Sequence, residues 1–296
     1  MPVPRYGATR ELAKRLKSLL GRGAGEPGEE SAAGKAEGTP GGGLPDFLIV
    51  GAQKSGTTYL YGLLNSHPRV EAPARKEVHY FDSPRNFRKG LDWYRSFFPR
   101  SEAEDGWFIT GEASPYYLYH PHAPRRAAEV VPEARLIAVL RNPVDRAYSD
   151  YNDRVRSGFE TLSFEEAVEA EAERLEGEKE RMLADEYYFS PRHRRYSYLD
   201  RGIYVDQLLH WEEFFARDQM LVFESGELFR DPLGSMERAA GFLGLPKRAV
   251  EAPPDRFRND GRYEPMATET RQRLNRYFEP HNQRLYEYLG RDLGWR

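Results

Sequence analysis

The segment that most restricts the fold is Phe47-Leu48-Ile49-Val50, an apolar run that stops at Gly51. After a polar stretch, Tyr59, Leu60, Leu63 and Leu64 follow at helical spacing, and His67-Pro68 closes the pattern. A four-residue apolar run is too short for a helix and reads as a buried strand; the spacing behind it reads as a helix. The alternation recurs: Trp107 to Thr110, Arg135 to Leu140 and Met220 to Phe223 read as strands, with helical patterns over 123–131, 144–156 and 204–215. Strands alternating with helices form βαβ units, so the expected class is α/β with a central parallel sheet. Ligands bind such sheets at the carboxyl ends of the strands, which directs attention to the loops after Val50, Thr110 and Leu140.

The remaining segments carry less information. Residues 23–43 hold 8 of the 26 glycines and no large apolar side chain, so they read as a linker and the folded domain, 44–296, begins near Leu44. Ahead of it, in 1–22, Leu12, Leu16, Leu19 and Leu20 alternate with Arg10, Lys14, Arg15 and Lys17. That is the pattern of a short basic amphipathic helix, and as a terminal segment it reads first as a frayed one, with peripheral membrane contact through residues 8–20 as the functional alternative. Residues 164–184 carry eight glutamates around Phe164, Val168, Leu175 and Met182, the pattern of a solvated surface helix. Leu274, Phe278, Leu285 and Leu289 define a packing helix that Pro280 is expected to bend or split.

The loop Gly51-Ala52-Gln53-Lys54-Ser55-Gly56-Thr57-Thr58 joins the first strand to its helix. Amides at a helix start have no intrahelical partner, and the helix dipole favours an anion there. Lys54 adds a charge, and Ser55, Thr57 and Thr58 add hydroxyl donors, so the loop is built for a phosphate or similar oxyanion. It is not a Walker A loop, in which the lysine follows the second glycine; here Lys54 precedes Gly56. A kinase also needs Mg²⁺, usually held by an aspartate at a neighbouring strand end. The strand through Leu140 ends instead in Arg141, a cation that repels a metal and attracts a second anion. Asn142 is placed to cap the following helix, Pro143 suits its first position, and Ser149 lies further along it. The expected ligand is a nucleotide with two separate anionic groups and no metal.

With these residues the chain resembles the sulfotransferases that use 3′-phosphoadenosine 5′-phosphosulfate (PAPS), and within them the heparan sulfate N- and 3-O-sulfotransferases, from about Phe47 to Trp295. The resemblance implies a P-loop NTPase-like three-layer fold. It implies that Lys54, Ser55, Gly56, Thr57 and Thr58 cradle the 5′-phosphosulfate, and that Arg141 and Ser149 hold the 3′-phosphate. Sulfuryl transfer needs a base for the acceptor proton and a cation for the leaving phosphate oxygen; Lys54 suits the second task. In Lys76-Glu77-Val78-His79-Tyr80-Phe81-Asp82, Glu77 and His79 would share a face if extended. The residues alone leave either as the base, His79 having the ordinary pKa nearer neutrality. The resemblance to a Lys-Glu-x-His-Phe-Phe-Asp stretch makes Glu77 the base and His79 its support.

Other segments extend the resemblance. Gly111-Glu112-Ala113-Ser114 resembles an acceptor-facing loop, where Glu112 would orient the acceptor or Lys54, cap a helix, or pair with Arg141. Asp260-Gly261-Arg262-Tyr263-Glu264-Pro265 resembles a loop closing over the cofactor: Gly261 and Arg262 match, while Asp260 and Glu264 depart from the pattern. The stretches beginning at Arg201 and Leu221 read as scaffold. Arg192-His193-Arg194-Arg195 reads as a solvated loop paired with the glutamate-rich helix, and otherwise as a basic acceptor patch. The chain has no cysteine and a formal net charge of −3. A disulfide framework, a thiolate metal site and a generally basic nucleic-acid binder are therefore not expected. No stretch approaches the ~18 apolar residues of a spanning helix. The expectation is a cytoplasmic, metal-free PAPS-dependent sulfotransferase acting on an alcohol, amine or glycan. The rivals are a nucleotide kinase and a nucleotide-binding module without turnover.

Overall fold

A computed structural model describes residues 42–100, 107–247 and 263–295. The basic segment 1–22, most of the linker 23–43, and Gly261 and Arg262 lie outside the described residues.

Five parallel strands form one sheet in the order β2-β3-β1-β4-β5: β1 Phe47–Gly51, β2 Val70–Glu71, β3 Ile109–Ala113, β4 Arg135–Leu140 and β5 Met220–Glu224. Side chains of β1 and β4 alternate between the faces because the strand period is two. Leu48, Val50, Leu136, Ala138 and Leu140 enter one buried cluster, whereas Phe47, Ile49, Ile137 and Val139 enter another. Helix α1, Thr57–Leu64, covers the second face with Tyr59, Leu60, Leu63 and Leu64. The first face meets Ala123 and Ala127 of α4, Ala123–Val130, and Tyr204, Leu208 and Trp211 of α10, Tyr204–Glu212. The result is three layers around a buried parallel sheet, the α/β architecture expected.

Between α1 and α4 stand the short helices α2, Pro84–Phe87, and α3, Leu91–Arg95; between β4 and α10 stand α5, Pro143–Arg156, α6, Phe164–Glu169, α7, Glu171–Leu175, α8, Glu178–Ala184, and α9, Pro191–Arg195. After β5 come α11, Ser225–Arg230, α12, Pro232–Phe242, and α13, Thr268–Leu289. The chain leaves β1 towards β2 and leaves β4 towards β5, so the connections diverge between these two neighbouring strands. That divergence opens a crevice at their carboxyl ends.

Three readings change. The second predicted strand lies further along, at Ile109–Ala113, and Trp107 is an exposed surface residue. A Cβ on Gly111 would lie 2.5 Å from the Phe47 ring, so the glycine lets β3 approach β1, and a residue pair that reads as a loop becomes strand. The glutamate-rich stretch is three short helices, not one solvated helix. Glu171 is buried and accepts the backbone N–H groups of Leu199 (2.7 Å) and Asp200 (2.9 Å), while Glu178 accepts the hydroxyls of Ser190 (2.5 Å) and Tyr188 (3.0 Å). Lastly, α13 runs through Pro280 without splitting.

Candidate active site

At the carboxyl ends of the strands lies a cavity of about 1060 Å³. The loop after β1, the loop after β4, the start of α11 and the segment carrying Glu77 and His79 all contribute to its wall. Lys54, Ser55, Gly56, Thr57, Thr58, Glu77, His79, Arg141 and Ser149 therefore share one cavity.

The first turn of α1 is open. Gly56 precedes it at φ 101°, and no side chain caps it, which leaves the N–H groups of Thr57 and Thr58 available to an anion. Lys54 also has a positive φ, 67°, and its ammonium lies 3.1 Å from Asp153 on α5. Arg141 donates to the backbone carbonyl of Lys54 at 3.2 Å, bridging the β1–β4 crevice. The Tyr204 hydroxyl donates to the Arg141 carbonyl at 2.9 Å. Asn142 caps α5 by accepting from Val144 (3.0 Å) and Asp145 (3.4 Å), with Pro143 in the first turn, and this cap sets where Arg141 and Ser149 stand.

The segment with Glu77 and His79 is not extended. Both residues are left-handed, at φ 57° and 54°, conformations that cost about 1–2 kcal/mol each in an L-residue. Their neighbours hold them there: the Asn86 amide donates to the carbonyls of Val78 (3.1 Å) and His79 (3.2 Å), the His79 N–H donates to Ser114 Oγ (3.2 Å), and the Tyr80 N–H donates to the Tyr117 hydroxyl (2.8 Å). Strain held by so many bonds is a mark of functional sites.

Asp82, His79 and Glu77 stand in a row. Asp82 lies 2.8 Å from His79 Nδ1, and Glu77 Oε2 lies 3.6 Å from Nε2. Burial works against the imidazolium, but the Asp82 charge and hydrogen bond, together with Glu77, push the His79 pKa up to about 9. His79 is thus protonated at neutral pH and has no lone pair for a further proton. Burial also works against the Glu77 charge, but the Lys76 ammonium on Oε1 and His79 on Oε2 hold the carboxyl well below the usual carboxylate range. Of the two, Glu77 carries the negative charge and His79 the positive one. Asp82 holds His79 in place; its position three residues after His79 was visible in the sequence, but its contact was not.

Glu112 does something else. It is fully buried behind the cavity, where Oε1 accepts the hydroxyls of Tyr94 (2.9 Å) and Tyr117 (2.6 Å). None of the expected contacts with Lys54, Arg141 or a helix end is made; burial raises its pKa to about 7. The Arg192–Arg195 stretch is not a solvated loop: it forms α9 with His193 and Arg194 buried, and Arg194 reaches the cavity wall. Arg194 Nη1 lies 4.0 Å from Asp82, makes no hydrogen bond, and its guanidinium stands over the Tyr116 ring. Arg201, read as scaffold, is buried and binds Gln53 of the first loop, Ser197 Oγ (2.9 Å) and the Arg194 carbonyl (2.8 Å). No local pattern announces such a buried arginine, because Gln53, which ties it to the first loop, is 148 residues away.

Residues 44–285 match the family described as the sulfotransferase domain. The chain belongs to that family. This sulfotransferase is 33% identical over 275 residues to the human (Homo sapiens) heparan sulfate glucosamine 3-O-sulfotransferase 6, covering 85% of this chain and 74% of that protein. It is 31% identical over 269 residues to the bifunctional heparan sulfate N-deacetylase/N-sulfotransferase 1 of Caenorhabditis elegans, covering 83% of this chain and 30% of that protein. Among solved structures, the sulfotransferase from Alicyclobacillus acidocaldarius aligns with a TM-score of 0.63 at 31% identity, covering 85% of this chain and 98% of that chain. The expected P-loop NTPase-like α/β fold is the fold of this sulfotransferase. Among the described residues no helix is long and apolar enough to cross a membrane, and no cluster of His, Asp and Glu is grouped to hold a metal ion.

Proposed function

We propose that this sulfotransferase moves a sulfuryl group from PAPS to a hydroxyl or amine of a carbohydrate-like acceptor. The observation that carries the reading is the sharing of one cavity by two anion-binding strand ends, at Lys54–Thr58 and Arg141, and an ionised carboxylate, Glu77. The uncapped turn of α1 and the positive φ of Gly56 suit close approach by a phosphate, and Arg141 with Ser149 suits a second one. PAPS supplies an activated sulfuryl group; the protein's task is to place it and to manage one proton and one developing charge. Lys54 exchanges Asp153 for the charge that grows on the leaving phosphate. Glu77 takes the acceptor proton, and His79, held by Asp82, keeps the carboxylate aimed. The far wall, with Tyr116, Phe159 and Arg194, offers aromatic faces and a cation, a combination suited to a sugar carrying an acidic group.

Calorimetry with adenosine 3′,5′-bisphosphate (PAP), ATP and ADP, each with and without Mg²⁺, tests the donor. PAP is expected to bind without metal and more tightly than either alternative; Mg²⁺-dependent ATP binding would refute the reading. For the base, Glu77→Gln should bind PAP nearly normally while turnover with a glycan acceptor falls by roughly 10²-fold or more. Unchanged turnover would remove Glu77 from its role.

A further inference from the structure

The segment after α13 does not trail into solvent. Gly290, at φ 66°, ends the helix, and the chain turns back so that Leu293, Gly294 and Trp295 line the cavity together with Tyr59, Phe229 and Arg230. Four bonds fix this turn. Arg291 pairs with Glu227 of α11 at 3.0 Å, and its N–H donates to the Tyr286 carbonyl at 3.1 Å. The Gly294 N–H donates to Asp292 at 2.7 Å, and the Trp295 N–H donates to the Tyr286 hydroxyl at 3.1 Å. The indole meets the Tyr204 ring at 5.9 Å between centroids, edge to face. Tyr204 is the residue whose hydroxyl binds the Arg141 carbonyl.

The position along the sheet says which ligand this wall meets. The tail is tied to α11, which follows β5, and packs on Tyr204, whose hydroxyl binds the loop after β4, whereas Tyr116 follows β3 at the other side of β1. Glu77 lies in the connection from β2 to β3. With the phosphate loop of β1 between the two sides, the acceptor belongs on the β3 side and the nucleoside on the β4–β5 side. That side also carries the aromatic rings of Tyr59 and Phe229, whose centroids lie 5.0 Å apart.

We propose that Trp295 is a nucleotide-binding residue: its ring forms the wall against which the nucleoside of PAPS rests, and through Tyr204 it steadies Arg141. The inference rests on the PAPS reading and adds to it a residue outside both anion loops. An aromatic contact of this kind contributes up to about 1.5 kcal/mol, or roughly tenfold in affinity.

The test is titration of the full chain with PAP, followed by calorimetry and by tryptophan fluorescence. The other tryptophans, Trp93, Trp107 and Trp211, do not line the cavity. Trp295→Phe, which keeps an aromatic face, is expected to bind PAP more tightly than Trp295→Ala and to lose the ligand-induced fluorescence change. Trp295→Ala is expected to bind about tenfold more weakly, with Tyr204→Phe weakened to a smaller degree. Wild-type affinity in Trp295→Ala, or a full fluorescence response in Trp295→Phe, overturns this inference alone. Failure of the wild-type chain to bind PAP overturns the PAPS reading and this one with it.

Discussion

Replacing Glu112 by glutamine should make the protein more resistant to unfolding at pH 8 and flatten its stability between pH 4.5 and 7. The carboxyl is fully buried and its pKa is raised to about 7, against the ordinary 4.5 of a glutamate. Burial is the main cause; the two tyrosine hydroxyls on Oε1 recover only part of what the charge loses. A raised carboxyl binds its proton more tightly in the folded than in the unfolded chain. Its contribution is therefore complete below pH 4.5, declines as the pH rises through that window, and is gone above about pH 7. The difference corresponds to about 3 kcal/mol at 1.36 kcal/mol per pH unit. Glutamine keeps an oxygen for Tyr94 and Tyr117 and cannot ionise. Urea unfolding at pH 4.5, 6 and 8 measures the effect as the difference in pH slope between the two proteins. Comparing slopes also cancels Glu171, whose pKa is likewise raised to about 7 by burial. Parallel slopes in wild type and Glu112→Gln would show that Glu112 does not change its proton affinity on folding, and the argument from burial would fail.

Two further perturbations probe the cavity itself. Asp82→Asn removes the charge that most raises the His79 pKa, so the alkaline limb of kcat/KM should move from near pH 9 towards neutrality; an unmoved limb would show that the His79 proton plays no part in turnover. Gly56→Ala places a methyl group at φ 101° and 3.1 Å from the Phe229 ring, and should cost about 1–2 kcal/mol of stability with weaker PAP binding. Thermal melts with and without PAP check this, and wild-type melts in both conditions would refute it.

Much of the architecture could be read from residues 47–64 and 135–156, because there the local signals agree: a buried strand, a short polar connection and a helix in immediate succession. Asn142 and Pro143 are a case in point, since a cap acts only on the next few amides. What escaped was set by partners far away in the chain. The two-residue β2 is too short to leave a pattern. Gly111-Glu112 reads as a loop until Phe47 and the tyrosines at 94 and 117 come against it. The glutamates of 164–184 read as a wet face because no local rule shows that Glu171 will bind the amides ahead of Arg201. The site divides in the same way. The loop at 51–58 and Arg141 are motifs, whereas the left-handed turn at Glu77 and His79 depends on Asn86, Ser114 and Tyr117.

The surroundings of Glu77 make its two oxygens unlike. Oε2 faces an imidazolium clamped by Asp82, while Oε1 faces an ammonium at the end of a four-carbon chain that can swing aside. A flat, symmetric carboxylate has thereby become a handed reagent with one bolted side and one hinged side. If Glu77 takes the acceptor proton as proposed, the hinged side is the one that opens to the acceptor, and the direction of approach is set by the protein.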